Sequence, residues 1–168
     1  MEFIENEKLE IPEYISYNEK YFVYSSKRSV MQPFFQYKDA STPEKNFERF
    51  LDSNDHVDWW FKNRENDPKY FAIGYADENG YNSAFYVDFI VMFKDGSIGF
   101  YDTKQGITAS AESTKNKAEA LYRFIQRENQ SGKKVKYDIV ISVNKLSGTT
   151  WKINCNETYT DDFDNAER

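Results

Sequence analysis

Two strongly apolar runs separated by Lys94-Asp95-Gly96 constrain this chain more than any other feature. Residues 85–93 read Phe-Tyr-Val-Asp-Phe-Ile-Val-Met-Phe, and residues 97–104 read Ser-Ile-Gly-Phe-Tyr-Asp-Thr-Lys. In a strand, alternate residues share a face. Phe85, Val87, Phe89, Val91 and Phe93 then form one face, and Tyr86, Asp88, Ile90 and Met92 the other. A segment apolar on both sides predicts a central strand. In the second run, Ile98, Phe100, Asp102 and Lys104 share a face.

The connection sets the register. Phe93-Lys94-Asp95-Gly96-Ser97 suits a three-residue hairpin loop, a type I turn followed by glycine in the left-handed conformation. Phe93 then pairs with Ser97, and Asp88 comes opposite Asp102. A two-residue Asp-Gly turn would instead pair Asp88 with Thr103 and separate the carboxylates. In the preferred register the two carboxylates lie roughly 5 Å apart at Cβ. A carboxylate inside a buried strand is costly unless something pairs with it, and two facing acids repel. A hard cation with oxygen ligands, such as Mg²⁺ (or Mn²⁺ in its place), removes the conflict. Lys104, one pleat further along, is then suited to polarise a phosphate or orient a water. The bland alternative is a buried acid satisfied by hydrogen bonds beside a strand-end lysine.

Asp88 followed by Asp102-x-Lys104 resembles the signature of the PD-(D/E)XK nucleases, with Val87 where proline often stands. Met31-Gln32-Pro33-Phe34-Phe35, Ser41-Thr42-Pro43-Glu44-Lys45-Asn46-Phe47 and Val57-Asp58-Trp59-Trp60-Phe61-Lys62-Asn63 extend the likeness upstream. Asp102-Thr103-Lys104-Gln105-Gly106 and Lys115-Asn116-Lys117-Ala118-Glu119-Ala120-Leu121 extend it downstream. Over residues 30–145 the chain is similar to the C-terminal endonuclease domain of type III restriction enzyme Res subunits and related helicase–nuclease proteins. One departure is Asp102, where the family often has glutamate.

The resemblance implies an α/β (α+β) fold with a restriction-endonuclease-like core, a central mixed β-sheet flanked by helices. It implies a metal-dependent DNA endonuclease with Mg²⁺ held by Asp88, Asp102 and the Thr103 backbone carbonyl. Lys104 would act on the nucleophile or the scissile phosphate. Glu44, at the start of a helix capped by Thr42, would complete the set directly or through water, with Glu48 as its alternative. Lys115 and Lys117 are candidate contacts to DNA phosphate, or else a solvated helix start. The implied partners are DNA, a helicase/ATPase module and a modification methyltransferase. Readings outside restriction are a DNA-repair or phage-defence nuclease, or a non-catalytic interaction or specificity module that kept the fold.

Composition agrees with one domain over residues 1–168, divided into N-terminal strands (1–40), a core (41–145) and a C-terminal strand with a polar tail (146–168). The chain is 18% aromatic, which supplies a core through large side chains. Mean hydropathy is −0.83, and no apolar run approaches the about 18 residues of a membrane span. The N-terminal residues lack the basic start and apolar run of a signal peptide, so a cytoplasmic location is expected. Cys155 is the sole cysteine, which excludes an internal disulfide and a cysteine-based zinc site. Net charge is −6, so tight binding to DNA would need another module. No G-x-x-x-x-G-K-[ST] loop appears in the sequence. His56 is the only histidine, and nothing around it suggests a serine–histidine site.

Further strands are predicted at 21–24, 29–37, 57–63, 71–75, 135–143 and 149–153. Helices are predicted at 43–53, with Phe47, Phe50 and Leu51 inward, and at 112–129.

Overall fold

The computed structural model describes residues 9–104, 112–145, 148–154 and 164–165. Gln105 and Gly106, which carry part of the resemblance, and Cys155 lie outside the described residues. The architecture is mixed α+β, with a six-stranded sheet between two helices. Along the sheet run β10 (Asp164–Asn165), β9 (Gly148–Asn154), β8 (Val135–Lys145), β7 (Ile98–Lys104), β6 (Phe89–Phe93) and β3 (Val57–Lys62). Among these six strands only β7 and β8 pair in parallel; their connection includes α2 (Glu112–Gln130), as a parallel pair requires a crossover. Two small antiparallel sheets flank this core: β1 (Tyr21–Tyr24) with β2 (Phe34–Tyr37), and β4 (Ile73–Ala76) with β5 (Asn82–Phe85). No helix among the described residues is long and apolar enough to cross a membrane.

Strand alternation divides the core in two. Trp60, Phe89, Val91 and Tyr101 pack with Phe34 and with Phe47 and Leu51 of α1 (Thr42–Ser53). Phe61, Ile90 and Phe100 pack with Leu121, Phe124 and Ile125 of α2 and with Phe71, Ile73 and Phe85. Burying each large apolar side chain contributes about 1.5–3 kcal/mol.

The predicted hairpin register is observed. Phe93 N–H donates to Ser97 O at 2.9 Å, Gly96 N–H donates to Phe93 O at 2.9 Å, and Gly96 has φ +83°. Phe89 pairs with Tyr101 and Met92 with Ile98, so one further step sets Asp88 across from Asp102. Gly99 is needed because the Tyr101 ring lies where its Cβ would be.

The uninterrupted strand expected over 85–93 is not observed. β5 ends at Phe85, the chain bends at Tyr86–Asp88, and β6 starts at Phe89. Asn63 holds the bend: its Nδ2 donates to Val87 O and Phe71 O at 3.0 and 2.9 Å, and its N–H donates to Asp88 O at 2.9 Å. Val87 therefore joins Ile90 on the α2 side instead of sharing a face with Phe89. Asp88 sits at this bend, just ahead of the sheet strand.

Helix α1 is capped by Ser41, not Thr42. The Ser41 hydroxyl accepts the Glu44 N–H at 3.3 Å, and Glu44 Oε2 accepts the Ser41 N–H at 2.8 Å, a reciprocal capping box. Phe47 and Leu51 are buried as expected, but Phe50 is 39% exposed and Glu48 takes an inward position at 2%. A glutamate can do so because Gln36 Nε2 donates to its Oε1 at 3.1 Å. Within 29–37 only Phe34–Tyr37 is a strand, and Phe71–Tyr75 shifts to Ile73–Ala76. In the expected polar tail, Asp164 and Asn165 pair with β9.

Candidate active site

Asp88, Asp102 and Lys104 line one cavity of about 370 Å³ at the end of the β6–β7 pair. Phe100, Asp102 and Lys104 alternate onto the α2 side of β7, and Lys104 Nζ forms an ion pair with Asp102 Oδ2. Tyr86 from the bend and Lys117 from α2 complete much of the wall. Lys115 is not among the lining residues.

The bend explains how Asp88 reaches both faces of the sheet. With β6 not yet begun, the edge of β7 at Thr103 lacks a strand partner. Asp88 Oδ2 takes that place, accepting the Thr103 N–H and the Thr103 hydroxyl, each at 2.8 Å. In an extended strand the carbonyl leaves on the same edge as its residue's N–H. The Thr103 carbonyl is thereby on the Asp88 side.

A residue that the sequence reading did not single out completes the arrangement. Lys62, the last residue of β3, faces α1 and lies opposite Phe89, with Nζ 5.0 Å from the ring centroid. Its Nζ is 3.1 Å from Glu44 Oε1 and 3.7 Å from Asp88 Oδ1. Glu44 is thus engaged by the helix cap and by Lys62, and it does not line the cavity of Asp102. A chain of charges results: Glu44, Lys62, Asp88, then Asp102 with Lys104. The acids expected to repel one another are neutralised in part by two lysines.

The two aspartates are electrostatically unequal. Burial alone would raise the Asp88 carboxyl. Lys62, Lys104 and the two Thr103 bonds outweigh it and hold Asp88 below the usual carboxylate range. Asp102 is pushed up to about 7, by burial first and the Asp88 charge second, against the pull of Lys104. Burial works to lower Lys104, but Asp102 and Asp88 keep it above the ordinary lysine value, so it is an ammonium at neutral pH. Glu48, one turn along α1 from Glu44, is raised to about 7 by burial.

The donor set fits Mg²⁺. Two carboxylates and a backbone carbonyl are hard oxygen ligands, and Mg²⁺ binds through one or two carboxylates while keeping several waters. The raised Asp102 marks a place where a second full negative charge is unfavourable and a cation would relieve it. Among the described residues, no three His, Cys, Asp or Glu side chains form a ready cation cage. Comparison with family models, with curated proteins and with solved structures finds no match.

Proposed function

We propose that the chain is a Mg²⁺-dependent deoxyribonuclease domain with a restriction-endonuclease-like, PD-(D/E)XK core, acting within a type III restriction-like helicase–nuclease. The observation that carries this reading is the meeting of Asp88, Asp102 and Lys104 on one cavity, from adjacent antiparallel segments. A helix bearing an acid and packed on a mixed sheet beside them is the arrangement that the resemblance implies.

Mg²⁺ held by Asp88, Asp102 and the Thr103 carbonyl would lower the pKa of a water and offset charge on the phosphate during phosphodiester hydrolysis. Lys104, an ammonium at neutral pH, acts as a donor to the scissile phosphate or to the attacking water, not as a base. Lys117 offers a second point charge to phosphate from the α2 wall. Glu44 acts through Lys62, which keeps Asp88 ionised and turned toward Thr103; both are positioning residues. With a net charge of −6, recruitment to DNA falls to an ATP-driven partner module, and protection of host DNA to a methyltransferase.

Calorimetric titration with Mn²⁺, run on the wild type and on Asp88→Ala, tests the site without depending on recruitment. Stoichiometric binding that disappears in the variant is expected, together with Mg²⁺-dependent nicking of plasmid DNA. Equal heats for the two proteins would remove this mechanism. One observation favours a second reading: Lys62 and Lys104 already neutralise the acids, as they would in a structural ion network. A module that docks on a partner protein and binds no cation is then the reading left standing.

A further inference from the structure

A second cleft, of about 530 Å³, opens beside the first. Its character is different, because aromatic rings supply much of its wall. Tyr17 and Phe35 stack with centroids 4.5 Å apart and planes within 22°. Tyr21 and Tyr37 meet at 5.2 Å, and Tyr37 is 36% exposed. The Arg64 guanidinium covers Tyr21 at 5.0 Å and is anchored by donating to Ser16 O at 3.0 Å. These contacts fix the rings as a platform.

Asn63 also lines this cleft. Its amide nitrogen is committed to the Phe71 and Val87 carbonyls, which fixes the amide orientation. Its Oδ1 is buried and has no partner, in a residue only 2% exposed. Glu65 and Asn66 line both this cleft and the cavity of Asp88 and Asp102. An occupant therefore lies next to the reacting phosphate. Lys20, Lys62 and Arg64 are balanced by Asp39, Glu44 and Glu65, so the lining has no net charge to hold a bare phosphate chain.

We propose that this cleft binds one unpaired nucleobase of a DNA strand, its ring continuing the aromatic stack. The source of the strand rests on the nuclease reading; the stacking chemistry does not. The substrate class that follows is DNA with an unpaired or frayed nucleotide at the cut, as a translocating partner would generate.

Fluorescence anisotropy in EDTA tests this without catalysis. The probe is a labelled short single strand, compared with an abasic strand of the same length and with the blunt duplex. Aromatic stacking predicts about tenfold weaker binding of the abasic strand, and a similar loss for Phe35→Leu and for Tyr37→Leu. Phe35→Leu keeps apolar volume in the small hairpin, and Tyr37→Leu alters an exposed side chain, so at least one variant reports on a folded protein. Equal binding of normal and abasic strands, or normal binding by both variants, overturns the proposal even if plasmid DNA is nicked. The expected binding pattern, with Mn²⁺ heats that do not differ between the wild type and Asp88→Ala, keeps the cleft and removes the nuclease.

Discussion

Two carboxylate clusters in this protein show what separates an acid that holds a fold together from one available for chemistry. Near the C-terminal end of α1, Asp52 accepts the Ser26 hydroxyl, the Arg28 N–H and the Trp60 Nε1–H at 2.9–3.1 Å, and the Lys27 N–H at 3.3 Å. Its donors are short, neutral and fixed by backbone or ring. It closes the loop between β1 and β2 onto the helix and onto Trp60. Around Asp88 and Asp102 only Asp88 Oδ2 has such donors, from Thr103; the other partners are lysines on flexible stems, and the carboxylates border an open cavity. Saturation by rigid donors makes a clamp; partial neutralisation by mobile cations makes a site that another ligand can enter.

The largest break in that comparison is expected in activity. Asp102→Ala or Lys104→Ala should lower DNA cleavage at least about a thousandfold, since metal-held charge stabilisation is worth several kcal/mol and each 1.4 kcal/mol is tenfold. Asp52→Ala should leave cleavage per folded molecule unchanged. A single-turnover assay on protein of verified fold separates them, and comparable losses for both would erase the distinction.

Stability should rank the clusters the other way. Asp52→Ala orphans several donors and is expected to cost roughly 2 kcal/mol, read from the urea midpoint. Asp102→Asn in metal-free buffer at neutral pH should cost less, because its carboxylate is already disfavoured there.

pH sharpens the contrast between the two aspartates. Asp102 titrates higher folded than unfolded, so its ionisation weakens the metal-free fold progressively from about pH 4 to about 7. Asp88 titrates lower folded than unfolded, so its contribution is present above about pH 4 and is lost as pH falls through the depressed value. Asp102→Asn should therefore gain on the wild type as pH rises from about 5 to about 8, while Asp88→Asn stays less stable across that range. Parallel curves for the two variants would contradict the unequal electrostatics.

The smallest effect belongs to Glu44→Gln. The amide oxygen can still accept the Ser41 N–H, and the partly exposed pair with Lys62 is worth at most about 1 kcal/mol. Cleavage should fall less than tenfold with Mg²⁺ affinity intact; loss of the bound cation would make Glu44 a ligand after all.

What the sequence made legible was local. Lys94-Asp95-Gly96 suited a three-residue turn ending on a left-handed glycine, and the register of that turn carried Asp88 to Asp102. The i, i+3, i+4 pattern of Ala118, Leu121, Tyr122 and Ile125 was enough to locate α2. The bend at Tyr86–Asp88 was hidden because apolar residues continue through it. Its cause is an asparagine over twenty positions earlier whose bonds local alternation cannot reveal. Lys62 was hidden for a related reason: nothing in Val57–Lys62 announces that β3 pairs with β6, or that a register shift between Val57 and Trp59 sets its phase. Phe50 and Glu48 exchanged expected roles because hydrophobicity ranks side chains, whereas Gln36 supplied the partner that lets an acid go inside.

The three-residue turn between Phe93 and Ser97 lies at the opposite end of the hairpin from the cavity, yet it acts as the ruler for the chemistry. Lengthening it by one residue would move the second run by one place and turn Asp102 and Lys104 to the other side of the sheet. Lys94 is thus free to drift in identity over generations, whereas Asp95, whose Oδ1 accepts the Ser97 N–H and hydroxyl, and the length of the turn are held. In descendants of this chain, the interval from Asp88 to Asp102 should be inherited as a fixed length.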